Sequence, residues 1–201
     1  MNTVRFRKMA LVIILSVLPV LAGCGIQAIP QAQNTVDAAV AEVNNQYKRR
    51  ADLVPNLVQV VKGYASHEKD TLDAVVNARA KATSVNLDPS KATPEQIRSF
   101  QNAQGELSQA LGKLMMISEN YPNLKADTQF RDLQAQLEGT ENRITVARNR
   151  HIETIKEFNN LVTVPPTSWT NSILYHKEKM PQWDVAESEK EQIQKPPQVT
   201  F

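Results

Sequence analysis

Apolar residues recur at intervals of three and four through most of this chain, and prolines rather than any change of period interrupt them. Val36, Val40, Val43, Tyr47 and Val54 form a first stripe, which skips a turn between Tyr47 and Val54. The pattern resumes after Pro55 through Leu57, Val58, Val61, Tyr64, Ala65, Leu72, Val75 and Val76. A third stripe runs through Ile97, Phe100, Leu107, Leu111 and Leu114, and a fourth through Phe130, Leu133, Leu137, Ile144, Ala147, Ile155, Phe158 and Val162. This period places apolar side chains on one face of a helix, and no alternating strand pattern of useful length appears. Four amphipathic segments joined by short turns predict an all-α fold, an antiparallel up-and-down four-helix bundle.

The punctuation sets the expected boundaries. Pro55 lacks an N–H and crowds the carbonyl four residues back, so the chain must kink or start a new helix. We read a reversal there, with helical segments over 31–50, 57–83, 94–119 and 128–163. Thr93-Pro94-Glu95-Gln96 combines an N-cap, a proline at the first helical position and a capping-box glutamine. Asn86, Asp88, Pro89 and Ser90 mark a loop, Asn120-Tyr121-Pro122-Asn123 a turn, and Asp127 a cap for the last long segment. Pro165-Pro166 stop that segment. Residues 165–201 hold five of the eleven prolines, with Trp169, Tyr175, Trp183 and Phe201. That composition predicts an irregular, Pro-rich tail, either a strap on the bundle or partly disordered.

The N-terminus carries an address. Arg5, Arg7 and Lys8 precede an apolar run from Met9 to Leu21, and Leu21-Ala22-Gly23-Cys24 resembles the lipobox of a bacterial lipoprotein. The run is shorter than the about 20 residues that span a bilayer. Residues 1–23 are therefore expected to be a cleaved lipoprotein signal peptide and 24–31 a tether. A helical bundle over 32–164 and the tail over 165–201 follow. An acylated Cys24 would make the lipid bilayer the first partner and the cell envelope the location. Gly25, rather than an aspartate, resembles a signal for the outer membrane's periplasmic face in a Gram-negative envelope; otherwise the outer face of the cytoplasmic membrane is expected. The chain has 23 basic and 21 acidic residues, and three of the basic ones lie in the leader. The nearly neutral remainder lacks the net basic face of a nucleic-acid binder.

Motifs for chemistry are few. Cys24 is the only cysteine, so acylation leaves no thiolate for a disulfide, a nucleophile or a metal. His67-Glu68 opens like a His-Glu-x-x-His zinc motif, but Thr71 stands where the second histidine belongs. His67, His151 and His176 fall on different elements. No nucleophile elbow, P-loop or glycine-rich dinucleotide turn is present. The reading is a protein without cofactor, metal site or catalytic residues, not an enzyme. Lys48-Arg49-Arg50 is a compact basic run that either faces solvent, pairs with Asp52 and neighbouring glutamates, or docks a partner. A helix from Gln31 would carry it about 30 Å from the lipid, beyond a surface potential that fades within roughly 8 Å. Glu68 and Glu141 lie in phase with apolar stripes, so each must be paired or sit at the core's edge. Glu141-Asn142-Arg143 and Arg148 could form an internal polar layer.

Longer motifs carry a resemblance. Residues Lys48 to Val58 (KRRADLVPNLV) and Val61 to Glu68 (VKGYASHE) resemble signatures of the LemA family of bacterial envelope proteins. So do Glu119 to Ala126 (ENYPNLKA), Phe130-x-x-Leu133-Gln134, Thr140-Glu141-Asn142-x-Ile144-x-x-Ala147-Arg148, and Phe158-Asn159 before Val164-Pro165. The resemblance runs from about 33 to 166, with an echo at Pro197-x-Val199-x-Phe201. It implies a four-helix bundle outside the cytoplasmic membrane, with no cofactor and no assigned catalytic residue. Two departures stand out: a lipobox leader replaces the family's usual transmembrane helix, and His151-Ile152 stands where an aromatic–asparagine pair often occurs. Two functional classes follow. One is a non-enzymatic scaffold or adaptor docking another envelope protein. The other is small-ligand binding or hydrolase-like activity at a polar cluster in the bundle. For the first class, a reversal at Pro55 would bring Arg49, Arg50, Asp52 and Asn56 beside Asn120, Tyr121 and Lys125 in one membrane-distal patch.

Overall fold

The computed structural model describes residues 26–85 and 93–181. Cys24, the loop residues Asn86 to Ser90 and the tail from 182 onward lie outside the described residues. The regular structure of the described residues is all helical: α1 (Ala28–Tyr64), α2 (Lys69–Ser84), α3 (Pro94–Ser118), α4 (Pro122–Ala126), α5 (Thr128–Thr163), α6 (Thr167–Thr170) and a π-helical turn at Asn171–Tyr175. Among the described residues there is no strand, and no helix is long and apolar enough to cross a membrane. The first helix begins at Ala28, inside the segment read as a tether. Pro30 sits in its first turn, where its missing N–H has no partner to lose.

The reversal expected at Pro55 does not occur. α1 runs for 37 residues with Pro55 inside it, and the break comes at 65–68. A proline deprives the carbonyl four residues back of its donor; here that carbonyl belongs to Ala51, and Arg79 Nε of α2 donates to it at 2.8 Å. A tertiary contact supplies what the helix lost. The other boundaries follow local chemistry. Thr93 Oγ1 accepts the Gln96 N–H while Gln96 Oε1 accepts the Thr93 N–H, closing the capping box of α3. Asp127 Oδ1 accepts the Phe130 N–H and caps α5.

The described residues fall into two compact units, 39–85 with 93–151, and 26–38 with 152–181. In the first, one core gathers Val54, Leu57, Val61 and Ala65 of α1 and its end, Leu72, Val75, Ala78 and Ala82 of α2, Leu107, Ala110, Leu111 and Leu114 of α3, Leu124 of α4, and Phe130 and Leu137 of α5. Alanines at 65, 78, 82 and 110 leave room for close approach of helix backbones, and α2 packs along α3.

In the second unit, Ile29, Val36, Ile155, Phe158 and Val162 are buried. The tail composition predicts irregular structure, yet 167–175 is helical and 176–181 is an ordered strap. Two asparagines hold the strap by backbone mimicry. Asn159 accepts from the Met180 N–H and donates to the Met180 carbonyl, at 2.8 and 3.0 Å. Asn171 does the same for Lys177 and also donates to the Val162 carbonyl. His176 takes a left-handed φ of 52° to end the π turn, its N–H donating to the Asn171 carbonyl at 2.7 Å. Pro165-Pro166 is a cis peptide.

Candidate functional site

Arg50 is the most unusual residue of the larger unit. Its place in α1 falls in the turn where the first apolar stripe skips, between Tyr47 and Val54, so the helix aims it inward. It is 2% exposed. Such a charge is costly in a core unless most of its donors are met, and of the three guanidinium nitrogens only Nε has no hydrogen-bond partner. Nη1 donates to Ser108 Oγ at 2.7 Å and to Glu141 Oε2 at 3.0 Å. Nη2 donates to the Gln104 side-chain and backbone oxygens at 2.7 and 3.0 Å. Gln104 in turn donates to the Ala82 carbonyl in the last turn of α2, at 3.1 Å. The guanidinium carbon lies 5.1 Å from the centre of the Tyr47 ring, itself edge-on to Phe100. One arginine thus ties together α1, α3, α5 and, through Gln104, α2.

The basic run Lys48-Arg49-Arg50 therefore does not present a single face. Arg49 is exposed while Arg50 is buried, and Arg50 is corrected from a docking residue to the centre of an internal polar layer. Of the two alternatives for Glu141, both are realised at once: it pairs with Arg50 while its side chain stays 54% exposed. A cleft of about 300 Å³ opens here, with Arg50, Ser108 and Glu141 beside Leu111, Met115 and Leu137.

A second cleft, of about 580 Å³, lies between α1 and the start of α5 and is lined by Asn56, Gln59, Gly63, Tyr64, Asp127 and Asp132, among others. At its end Tyr64 Oη donates to Asp127 Oδ2 at 2.9 Å. The Phe130 N–H and then the Tyr64 hydroxyl hold the Asp127 carboxyl below its ordinary pKa, while the same bond raises that of Tyr64. Nearby, Tyr121 Oη donates to Glu68 Oε1 at 3.1 Å, which raises the tyrosine's pKa. Glu68 is thus half-buried and paired, and Lys125 pairs with Glu119.

The seven candidate partner-binding residues do not form one patch. Arg49, Asp52 and Asn56 are exposed along the middle of α1, and Asn120, Tyr121 and Lys125 sit at the α3–α4 turn. Because α1 continues to Tyr64, it is Glu68, not Asp52, that meets Tyr121. Among the described residues no group of three or more histidine, cysteine, aspartate or glutamate side chains could hold a metal. His151 is buried, and burial pushes its pKa down to about 4.

The sequence profile of the LemA family matches residues 39–201. The chain belongs to the LemA family. A relative in Metamycoplasma hominis, described as Protein LemA, is 23% identical over 141 residues, covering 70% of this chain and 59% of the relative. This LemA-family chain therefore matches less than two thirds of that relative's length. The profile match takes in Arg50 with all its partners and both clefts, so the polar layer and the Tyr64–Asp127 pair both lie in the family-defining part of the chain.

Proposed function

We propose that this LemA-family protein is an envelope lipoprotein, anchored through acylated Cys24, that acts as a non-enzymatic scaffold or adaptor. Its long helices α1, α2, α3 and α5 form an antiparallel up-and-down bundle whose surface docks another envelope protein. The observation that carries this reading is the division of polar groups. The buried Arg50 has both terminal nitrogens engaged within the protein. The open cleft of about 580 Å³ presents the amides of Asn56, Gln59 and Gln129 and the carboxylate of Asp132 to a partner. A photo-crosslinking residue at Gln59 or Gln129, which line that cleft, should capture one discrete envelope protein in intact cells. Crosslinks no different from those at an exposed control position such as Thr145 would sink the docking reading.

A second reading has its own observation. Glu141, its side chain 54% exposed, lines the cleft of about 300 Å³ beside Arg50, which gives a small ligand an accessible carboxylate to bind. Saturable binding or turnover by the purified protein, lost in Glu141→Gln, would favour it over the scaffold.

A further inference from the structure

We propose that the helical turn after Pro166 is a membrane-seating foot, which inserts its apolar side chains into the lipid surface beside the acyl anchor. This rests on the anchoring at Cys24 proposed above and adds a second lipid contact to it. Trp169 and Ile173 are 63% and 73% exposed, and Leu174 is 55% exposed. Trp169 and Ile173 are four positions apart, the spacing that brings side chains to one helix face. Large apolar groups this exposed and this close together mark a surface that something covers. The chain itself indicates what.

Tyr175, next to Leu174, donates its hydroxyl to the Ile26 carbonyl at 2.6 Å, and Ile26 is itself 42% exposed. Ile26 follows Cys24 by two positions, a chain distance of at most about 7 Å. An acyl group on Cys24 therefore brings the bilayer to the turn that carries Trp169, Ile173 and Leu174. Tryptophan beside branched aliphatic residues is the composition of a membrane–water interface. The turn is too short to span, and no described helix can. The neighbouring charges, Lys177, Glu178 and Lys179, sum to only +1, so the contact is expected to be chiefly apolar and not to require anionic lipid.

Trp169 reports on this directly. The chain has two tryptophans, so Trp183→Phe leaves Trp169 as the sole emitter. The full chain, purified and reconstituted into phosphatidylcholine vesicles, should show blue-shifted emission that brominated lipid quenches by at least half. Ile173→Ser with Leu174→Ser should cut the quenching at least twofold at unchanged helix content. Water-like, unquenched emission overturns the foot. So does emission already blue-shifted before vesicles are added, because the protein's own chain then covers the patch. Quenching seen only with phosphatidylglycerol and abolished by salt overturns it too. Palmitate content is assayed on the same preparation. Its absence overturns the anchor alone, since the quenching of Trp169 is read either way.

Discussion

Arg50 shows how a single position can look like surface in the sequence and be core in the structure. Its neighbours Lys48 and Arg49 are exposed, and three basic residues together suggest one solvated face. Phase tells more than neighbourhood: the skipped turn between Tyr47 and Val54 is the one Arg50 occupies. What phase alone could not supply was the set of acceptors, which come from Gln104 and Ser108 on α3 and Glu141 on α5. Arg50→Met keeps most of the volume but leaves the Gln104 oxygens buried without donors. It is expected to cost about 2–4 kcal/mol in urea unfolding. Glu141→Gln should cost less than about 1 kcal/mol, because that carboxylate is half in water. Equal losses would mean that the ion pair, not the amide network, carries the stability. His151 makes a pH-dependent contribution of the opposite kind. Its folded pKa of about 4 lies below the 6.5 of an unburied imidazole, so between these values the unfolded chain binds the extra proton. Stability should therefore be complete above pH 6.5 and fall as pH drops toward 4. The loss is of order 2 kcal/mol once partial hydration is allowed for. His151→Gln should flatten that part of the urea-midpoint profile.

Helix starts were legible because they are local. Thr93 with Gln96, and Asp127 with Phe130, make in the structure the caps that their spacing predicts, and α5 spans the expected 128–163. The end of α1 was not legible because a distant residue decides it. Proline both frees and crowds the carbonyl four residues back, and Arg79, 28 positions from Ala51, supplies the hydrogen bond that the helix lost. Arg79→Met should destabilise by about 1–3 kcal/mol in the native sequence. In a Pro55→Ala background the cost should shrink, since the substituted alanine restores a backbone donor to the Ala51 carbonyl. A double-mutant cycle in urea should give a coupling of about 1 kcal/mol, and strict additivity would refute the account. Continuity itself is measurable: spin labels at the exposed positions 41 and 62 should lie about 32 Å apart along the helix, far more than a reversal at Pro55 allows. The strap was one of two readings that composition left open. Proline content argued against order, but Asn159 and Asn171 supply backbone-like partners that composition does not register.

For the molecule as a whole, the period of the apolar stripes was enough to make it all-helical, and the long motifs were enough to place it in the LemA family. Neither says that α1 runs on through Pro55 or that 176–181 is held in place, because Arg79, Asn159 and Asn171 decide those points from a distance. On the proposed reading, the leader and the body carry separate instructions. Packing holds the body together without any cysteine, so acylation and folding should respond independently to mutation. Cys24→Ser should abolish palmitate labelling and leave residues 1–23 attached, giving a slower band whose α-helical content and thermal midpoint match the native protein. Trp169→Ser with Ile173→Ser should do the reverse, keeping the label and the processed band while changing only how the protein rests on lipid. On the proposed anchoring, several acyl chains, each CH₂ contributing about 0.8 kcal/mol when buried, would hold the protein whether or not the foot inserts. The foot variant should therefore remain in the membrane fraction. An unchanged, labelled band from Cys24→Ser would refute the leader reading. Release of the foot variant from the membrane would mean that the apolar turn, rather than the lipid, is the principal anchor.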